Sequence, residues 1–121
     1  MIKKWSSIFL VTLILAIPLQ TDAFSSQVVE RGAFGDDVIE LQARLQYIGY
    51  YNGKIDGVFG YGTYWALRNF QQDYGLDVDG IAGASTKKAL ANNSQYNREW
   101  VMEQINQGNR FTHYGGQSLE N

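Results

Sequence analysis

The residues best suited to ligand chemistry are aromatic and are spaced as neighbours on one helix face. Tyr61, Trp65 and Asn69 are four residues apart, so they line one face of a predicted helix. Aromatic rings pack on the C–H faces of sugars, and planar amides bind hydroxyl and amide groups. With Tyr51 and Phe59 from the preceding loop, these residues form the predicted ligand-binding set, and a glycan is the ligand that suits them.

The same aromatic residues have a second, purely structural interpretation. A domain this small needs each large apolar side chain for its core. Trp65 or Phe59 could therefore pack beneath the loops or against the tail of the chain. The sequence leaves the choice between a glycan groove and a core position open.

The acidic residues and the one histidine offer weaker chemistry. Asp56 and Asp79 could form a carboxylate pair for glycosidase work, but each precedes a glycine, where aspartate commonly binds local backbone N–H groups. Asp77 and Asp79 begin a calcium-loop pattern whose remaining ligands are missing. His113 is alone, and the chain has no cysteine, which leaves too few ligands for zinc. We predict no catalytic residue, no metal site and no cofactor.

Residues 1–23 have the three-part pattern of a secretory signal peptide. Lys3 and Lys4 precede an almost purely apolar run at 8–19, and small residues precede a cleavage site after Ala23. The run is shorter than the roughly 20 residues that span a bilayer. An uncleaved membrane anchor is the alternative, and both interpretations place the remaining chain outside the cytoplasm.

Length and charge narrow the class of protein further. With 121 residues the chain has room for one domain, which we place at residues 30–92, followed by a polar tail or linker at 93–121. The net charge of −2 and the pI near 5.2 argue against nucleic acid and anionic membrane surfaces as partners.

The hydrophobic spacing predicts an all-α fold of three helices around one core. In the first helix, Asp37 and Glu40 predict a capping box and Gly49 predicts the end. The second helix is predicted over 61–74, and the third is short and follows Gly83. A weak fourth helix is predicted at about 99–107. The expected core-facing positions are Val38, Leu41, Leu45, Ile48, Thr63, Ala66, Leu67, Phe70, Tyr74, Thr86, Ala89 and Leu90.

An internal repeat of the form D-G-(V/I)-(F/A)-G-x-x-T precedes the second and third helices. Its copies start at Asp56 and Asp79, which are 23 residues apart. Each Asp-Gly predicts a tight turn. We expect the V/I residue to enter the core, the second glycine to prevent a Cβ clash, and the threonine to bind a free backbone group. A second repeated feature is a large apolar residue followed by glutamine, which occurs as Leu41-Gln42 on the first helix and as Phe70-Gln71 on the second.

These motifs together carry a family resemblance over about residues 30–92. They are Val38-x-x-Leu41-Gln42-x-x-Leu45, Gly49-Tyr50-Tyr51, Asp56-Gly57-x-Phe59-Gly60-x-x-Thr63, Phe70-Gln71 and Asp79-Gly80-Ile81-x-Gly83-x-x-Thr86. The set resembles the peptidoglycan-binding type 1 domain. The segments 59–71, 98–106 and 111–115 also resemble the N-terminal half of the spore cortex-lytic enzymes of endospore-forming bacteria.

The resemblance implies a non-catalytic domain that binds spore cortex peptidoglycan and targets a hydrolase during germination. In that family a C-terminal domain with a catalytic Glu cleaves cortex glycan carrying muramic δ-lactam, and no position here matches that Glu. The implied location is the spore cortex, outside the membrane. The alternatives are that the chain belongs to an active cortex hydrolase, that it cleaves glycan itself, or that it docks a germination protein.

Overall fold

Four helices enclose one hydrophobic core in the computed structural model, which describes residues 24–108. The all-α prediction is confirmed, and the weak fourth helix is present. The predicted leader at 1–23 and His113 lie outside the described residues. In chain order the elements are α1 (Asp36–Tyr47), α2 (Tyr61–Asp73), α3 (Ala84–Asn93) and α4 (Arg98–Asn106).

The core forms where α1 packs against both α2 and α3. Val38, Leu41 and Leu45 of α1 are fully buried, whereas Ile48 is half-buried because the helix ends before it. Tyr74 is 40% exposed, so its predicted core position is wrong. The remaining large core residues are Val29, Ile39, Tyr51, Ile55, Phe59, Leu67, Phe70, Leu90, Tyr96 and Val101.

The predicted capping box at the start of α1 is wrong. The helix follows Gly35, and no side chain caps it. Asp37 instead accepts a hydrogen bond from Ser25 Oγ at 2.8 Å, and Glu40 pairs with Arg44 Nε at 2.8 Å. Both carboxylates thus have other partners, although acidic groups in the first turn still favour the helix dipole.

Gln42 of α1 organises the first copy of the repeat through its side-chain amide. Its Oε1 accepts from the backbone N–H groups of Asp56 (3.0 Å) and Gly57 (2.9 Å). Its Nε2 lies within 3.1 Å of Asp56 Oδ1, Val58 O and Thr63 Oγ1. Asp56 Oδ1 also accepts from Val58 N at 3.0 Å. One buried amide therefore joins α1, the Asp-Gly turn and the first turn of α2.

Gln71 of α2 repeats this arrangement in the second copy. Its Oε1 accepts from the N–H groups of Asp79 (3.1 Å) and Gly80 (2.9 Å). Its Nε2 donates to Asp79 Oδ1, Ile81 O and Thr86 Oγ1, all within 3.1 Å. We call the two arrangements the Gln42 node and the Gln71 node. Each threonine accepts from a glutamine, so the expected bond to a free backbone group is wrong.

The repeat's apolar residues enter the core one position later than predicted. Val58 is 55% exposed and Ile81 is half-buried, whereas Phe59 and Ala82 are buried. Successive side chains of extended backbone point to opposite sides, so only one of each pair can face inward. The glutamine amides of the nodes donate to the carbonyl groups of Val58 and Ile81. These bonds fix the orientation of the backbone and turn the side chains of these two residues away from the core.

Of the two glycine positions in each repeat, only the first requires glycine. Gly57 and Gly80 have φ of 76° and 71°, a region that L side chains avoid. Gly60 and Gly83 have negative φ, and a Cβ added at either would meet nothing within 4 Å. The predicted Cβ clash at the second glycine is therefore wrong.

Gly80→Ala should destabilise the domain far more than the matched change Gly83→Ala. Positive φ alone costs alanine about 1–2 kcal/mol, and the new Cβ would clash with Cε1 of the Tyr64 ring. We expect the free energy of unfolding, measured by urea denaturation, to fall by about 2 kcal/mol or more for Gly80→Ala. Equal losses in the two variants would contradict this assignment.

The segment before α1 is tied to α3, far along the chain. Val29 and Ala82 exchange two backbone hydrogen bonds, of 3.2 and 2.8 Å. Lys87 of α3 is buried, and its Nζ donates to the carbonyl oxygens of Ser25 (2.9 Å) and Gln27. Burial lowers the pKa of Lys87, but the carbonyl oxygens compensate the ammonium group for lost water.

An alkaline pH dependence should arise at Tyr50. Burial, together with a 2.8 Å hydrogen bond to Asp73 Oδ2, raises its pKa from 10.0 to about 12. A pKa raised on folding means that the contribution to stability is complete below pH 10 and is lost towards pH 12. The stability difference between the native protein and Tyr50→Phe should therefore shrink between pH 10 and 12 in urea unfolding followed by circular dichroism. A pH-independent difference would contradict this.

Candidate functional site

Helix α2 separates a buried face from an exposed aromatic face, as its spacing predicts. Tyr61 is 70% exposed, Trp65 is 43% exposed, and Asn69 is also exposed. The structural alternative for Trp65, a core position, does not match this exposure. The buried face consists of Thr63, Ala66, Leu67, Phe70 and Gln71.

Three aromatic side chains of α2 pack against one another and form what we call the aromatic ridge: Tyr61, Tyr64 and Trp65. The Trp65 ring meets the Tyr61 ring at a centroid distance of 6.0 Å and the Tyr64 ring at 5.4 Å, both edge-to-face. Such pairs are attractive beyond the area that they bury. The contacts restrict the rotamers of the three rings, so a ligand that used them would lose less side-chain entropy on binding.

Two arginine side chains border the aromatic ridge. The Arg31 guanidinium lies 4.5 Å from the centre of the Tyr64 ring. The Arg68 guanidinium lies 5.6 Å from that ring and 5.3 Å from the Trp65 ring. Nη1 of Arg68 donates to Val78 O at 3.1 Å. Cation–π contacts of this kind orient both head groups beside the exposed rings.

The other two members of the predicted ligand-binding set lie in the core. Phe59 is 2% exposed and Tyr51 is 9% exposed. The Tyr51 hydroxyl donates to Lys54 O at 2.5 Å and receives a 3.4 Å bond from Gln42 Nε2. The structural interpretation of Phe59 therefore describes its position. Both rings support the loop beneath the ridge and have little surface to offer a sugar.

The candidate carboxylate pair also has a structural place. Asp56 and Asp79 each bind a glutamine amide and a local backbone N–H in their nodes. This matches the turn interpretation of the two residues. Within residues 24–108, no three His, Cys, Asp or Glu side chains cluster as metal ligands would. In the same range, no helix has the length and apolar character required to cross a membrane.

The aromatic ridge occurs in only one copy of the repeat. Positions 23 residues after Tyr61 and Trp65 carry Ala84 and Lys88 on α3. The nodes are duplicated, whereas the exposed rings are not. The repeat therefore accounts for the nodes, whereas the exposed rings of Tyr61 and Trp65 are found beside the first copy alone.

Sequence reasoning missed Tyr64 and Arg31 at this site. Tyr64 lies between the core face and the exposed face of α2, so helical spacing assigns it to neither. Arg31 belongs to an irregular segment, and no spacing links it to α2. The role of the two glutamines was also missed. The sequence did contain a signal for it, because each of the two Asp-Gly turns is preceded by one apolar-Gln pair, Leu-Gln or Phe-Gln.

Two glutamine-centred nodes, an all-α core and an exposed aromatic ridge define a small helical domain, and its similarity to known proteins identifies its family. Residues 34–90 match the family described as "Putative peptidoglycan binding domain". The solved SleB N-terminal domain is 66% identical, with a TM-score of 0.59, over 60% of this chain and 100% of that chain. The chain belongs to this family.

Within the family the chain is similar to a particular group of proteins. It is 67% identical over 97 residues to the spore cortex-lytic enzyme of Oceanobacillus iheyensis, covering 80% of the chain and 35% of that enzyme. With the spore cortex-lytic enzyme of Bacillus subtilis the identity is 70% over 94 residues, covering 77% and 31%. The chain thus spans about a third of the length of these relatives.

Proposed function

We propose that this chain binds spore cortex peptidoglycan without cleaving it, through the aromatic ridge of α2. The observation that carries the proposal is the exposure of Tyr61 and Trp65 in a domain of this family. A small domain normally uses its large aromatic side chains in the core, so two neighbouring aromatic rings left exposed indicate a surface that a partner covers. Asn69, one turn beyond Trp65, supplies the amide for hydroxyl or acetamido groups.

The described residues support binding better than cleavage. Hydrolysis of a glycoside needs two carboxyl groups facing a scissile bond. Asp56 and Asp79 are each held in their turn by a glutamine amide and a backbone N–H, and this structural role accounts for both residues without catalysis. In a longer protein, a module of this kind raises the local concentration of a tethered hydrolase on its polymer. We place that role in an exported protein at the cortex side of the membrane, as the relatives' name suggests.

We also propose limits for the binding domain. The binding domain occupies about residues 30–92, after a leader at 1–23 and before a tail from residue 93. The structure adds α4 to the fold, because Val101 is fully buried and Arg98 pairs with Asp36 at 2.9 Å. The start of the tail therefore packs on the domain that it follows.

Co-sedimentation of the purified chain with spore cortex sacculi tests the proposal directly. We expect the protein to pellet with sacculi and to stay in solution after the glycan has been digested. No muropeptides should be released on prolonged incubation. Docking to a germination protein, the alternative from the sequence, predicts instead that capture from spore extract survives digestion of the glycan. Failure to pellet, or release of muropeptides by the chain alone, would refute the proposal.

A further inference from the structure

The two arginines beside the aromatic ridge lack acidic partners. The described residues contain two salt bridges, Glu40–Arg44 and Asp36–Arg98, and neither involves Arg31 or Arg68. Arg31 is exposed and Arg68 is half-buried. A guanidinium that stacks on an aromatic ring can still offer its accessible in-plane N–H donors to a planar anion. The ridge therefore joins an apolar surface to two cations without their own counter-ions.

Most of the hydrogen-bonding capacity of these arginines is unused. A guanidinium has five N–H donors. In the described residues Arg68 uses one group, Nη1, on Val78 O, and its buried Nε has no partner. Arg31 is exposed, and its guanidinium contacts the Tyr64 ring. An acceptor with two oxygens could bind the donors of Arg31 and the terminal nitrogens of Arg68, but not the buried Nε.

Peptidoglycan contains a group with this chemistry. Its muramic acid residues carry a lactyl group that is either amide-linked to a stem peptide with free carboxylates or closed into a neutral lactam. We infer that Arg31 and Arg68 bind a carboxylate of the muramoyl peptide while Tyr61 and Trp65 hold the adjoining sugar. The inference rests on the proposed function, and it makes the chain selective for peptide-bearing muramic acid over lactam and over neutral glycan.

The overall charge of the protein makes this selectivity depend on the local site. The chain has a net charge of −2, so its general field does not attract an anionic ligand. A preference for a carboxylate must therefore come from the short-range contacts of the two guanidinium groups. Because those groups are close to the surface, the preference should weaken as salt is added.

A matched pair of soluble ligands tests the inference. The two ligands are the disaccharide N-acetylglucosaminyl-N-acetylmuramoyl-L-alanine as the free acid and the same compound as its C-terminal amide. Binding is followed by NMR titration of the full chain, with the Trp65 indole N–H as the reporter. We expect the acid to bind about tenfold more tightly than the amide, because hydrogen bonds to a charged group contribute about 1.5 kcal/mol or more.

Three variants assign the effect to the arginines. Arg31→Gln and Arg68→Gln should each lower the affinity for the acid about tenfold and leave that for the amide within about twofold. Arg68→Lys retains the charge and the packing of the stem but loses the planar fork, so it should recover part of the affinity. Lys88→Gln, an exposed cation on α3, is the charge-matched control and should change neither affinity.

The outcomes separate this inference from the proposed function. Equal affinities for acid and amide, or equal losses of both in the arginine variants, would overturn the inference. If Trp65→Ala, followed at the side-chain amide of Asn69 because the indole reporter is absent, also abolished both affinities, the proposed function would stand. No detectable binding of the acid would likewise overturn the inference, and retention of the chain on sacculi would then decide the proposed function separately.

Discussion

Replacing Gln42 with alanine should lower the free energy of unfolding by about 3 kcal/mol or more, the largest stability effect that we expect in this chain. The variant removes the partner of a buried backbone N–H at Gly57 and a partly buried one at Asp56, and it leaves the buried hydroxyl of Thr63 without its donor. Each buried group left unsatisfied costs about 1–3 kcal/mol. A cavity the size of an amide adds to that cost.

The matched control for this prediction is Gln72→Ala. Gln72 lies on the exposed side of α2, next to Gln71, and belongs to neither node. Its replacement therefore measures the effect of helix propensity and of losing an exposed side-chain amide. Its effect should stay within about 0.5 kcal/mol. Urea unfolding followed by circular dichroism measures both variants. Similar losses for Gln42→Ala and Gln72→Ala would show that the node is not what stabilises the turn.

Gln71→Ala should behave like Gln42→Ala, because the second node repeats the first bond for bond. The Gln42 node has one further member, since Nε2 also lies 3.4 Å from the Tyr51 hydroxyl. We therefore expect Gln42→Ala to be the more harmful of the two. A domain of this size has only about 5 kcal/mol of stability, so either variant should be partly unfolded at 37 °C.

The largest effect on binding is expected for Trp65→Ala. The indole contacts both tyrosine rings of the aromatic ridge and the Arg68 guanidinium, so its removal takes away a stacking surface and also releases its neighbours. A central aromatic residue of a binding surface contributes 2 kcal/mol or more, which corresponds to about thirtyfold in affinity. Depletion of the protein by increasing amounts of cortex sacculi measures the loss.

Tyr74→Ala is the control for the loss of an exposed ring. Tyr74 is 40% exposed, close to the 43% of Trp65, but it lies just beyond the other end of α2 and stacks on Phe70 at 4.3 Å. We expect it to bind sacculi like the native protein when both variants still unfold cooperatively. A folded Trp65→Ala protein with native affinity would remove the aromatic ridge from the proposal.

The helices and their buried faces could be predicted from the sequence because they depend on local spacing. Val38, Leu41 and Leu45 have the spacing of residues on one face of a helix, and all three are buried. Gly49, with a φ of 90°, ends that helix. The outward position of Tyr61 and Trp65 follows in the same way. Spacing of this kind needs no knowledge of the tertiary fold.

The depth of loop residues and the partners of polar side chains could not be predicted in this way. Phe59 and Val58 are adjacent and apolar, and only the node bonds decide that Phe59 faces the core. Asp37 has the spacing of a capping residue, but it binds Ser25, twelve residues earlier. Arg31 reaches Tyr64 across more than thirty residues of chain. These contacts arise between segments that are distant in sequence, where local patterns carry no information.

The bond between Lys87 and the carbonyl of Ser25 spans 62 residues of chain. Together with the Val29–Ala82 bridge, this bond means that the segment before α1 can reach its native position only after α3 has been synthesised. Contacts between distant segments form late, because the loop between them must close first. A ribosome-bound chain that ends before α3 should therefore remain sensitive to protease, because the segment before α1 still lacks the partners that hold it.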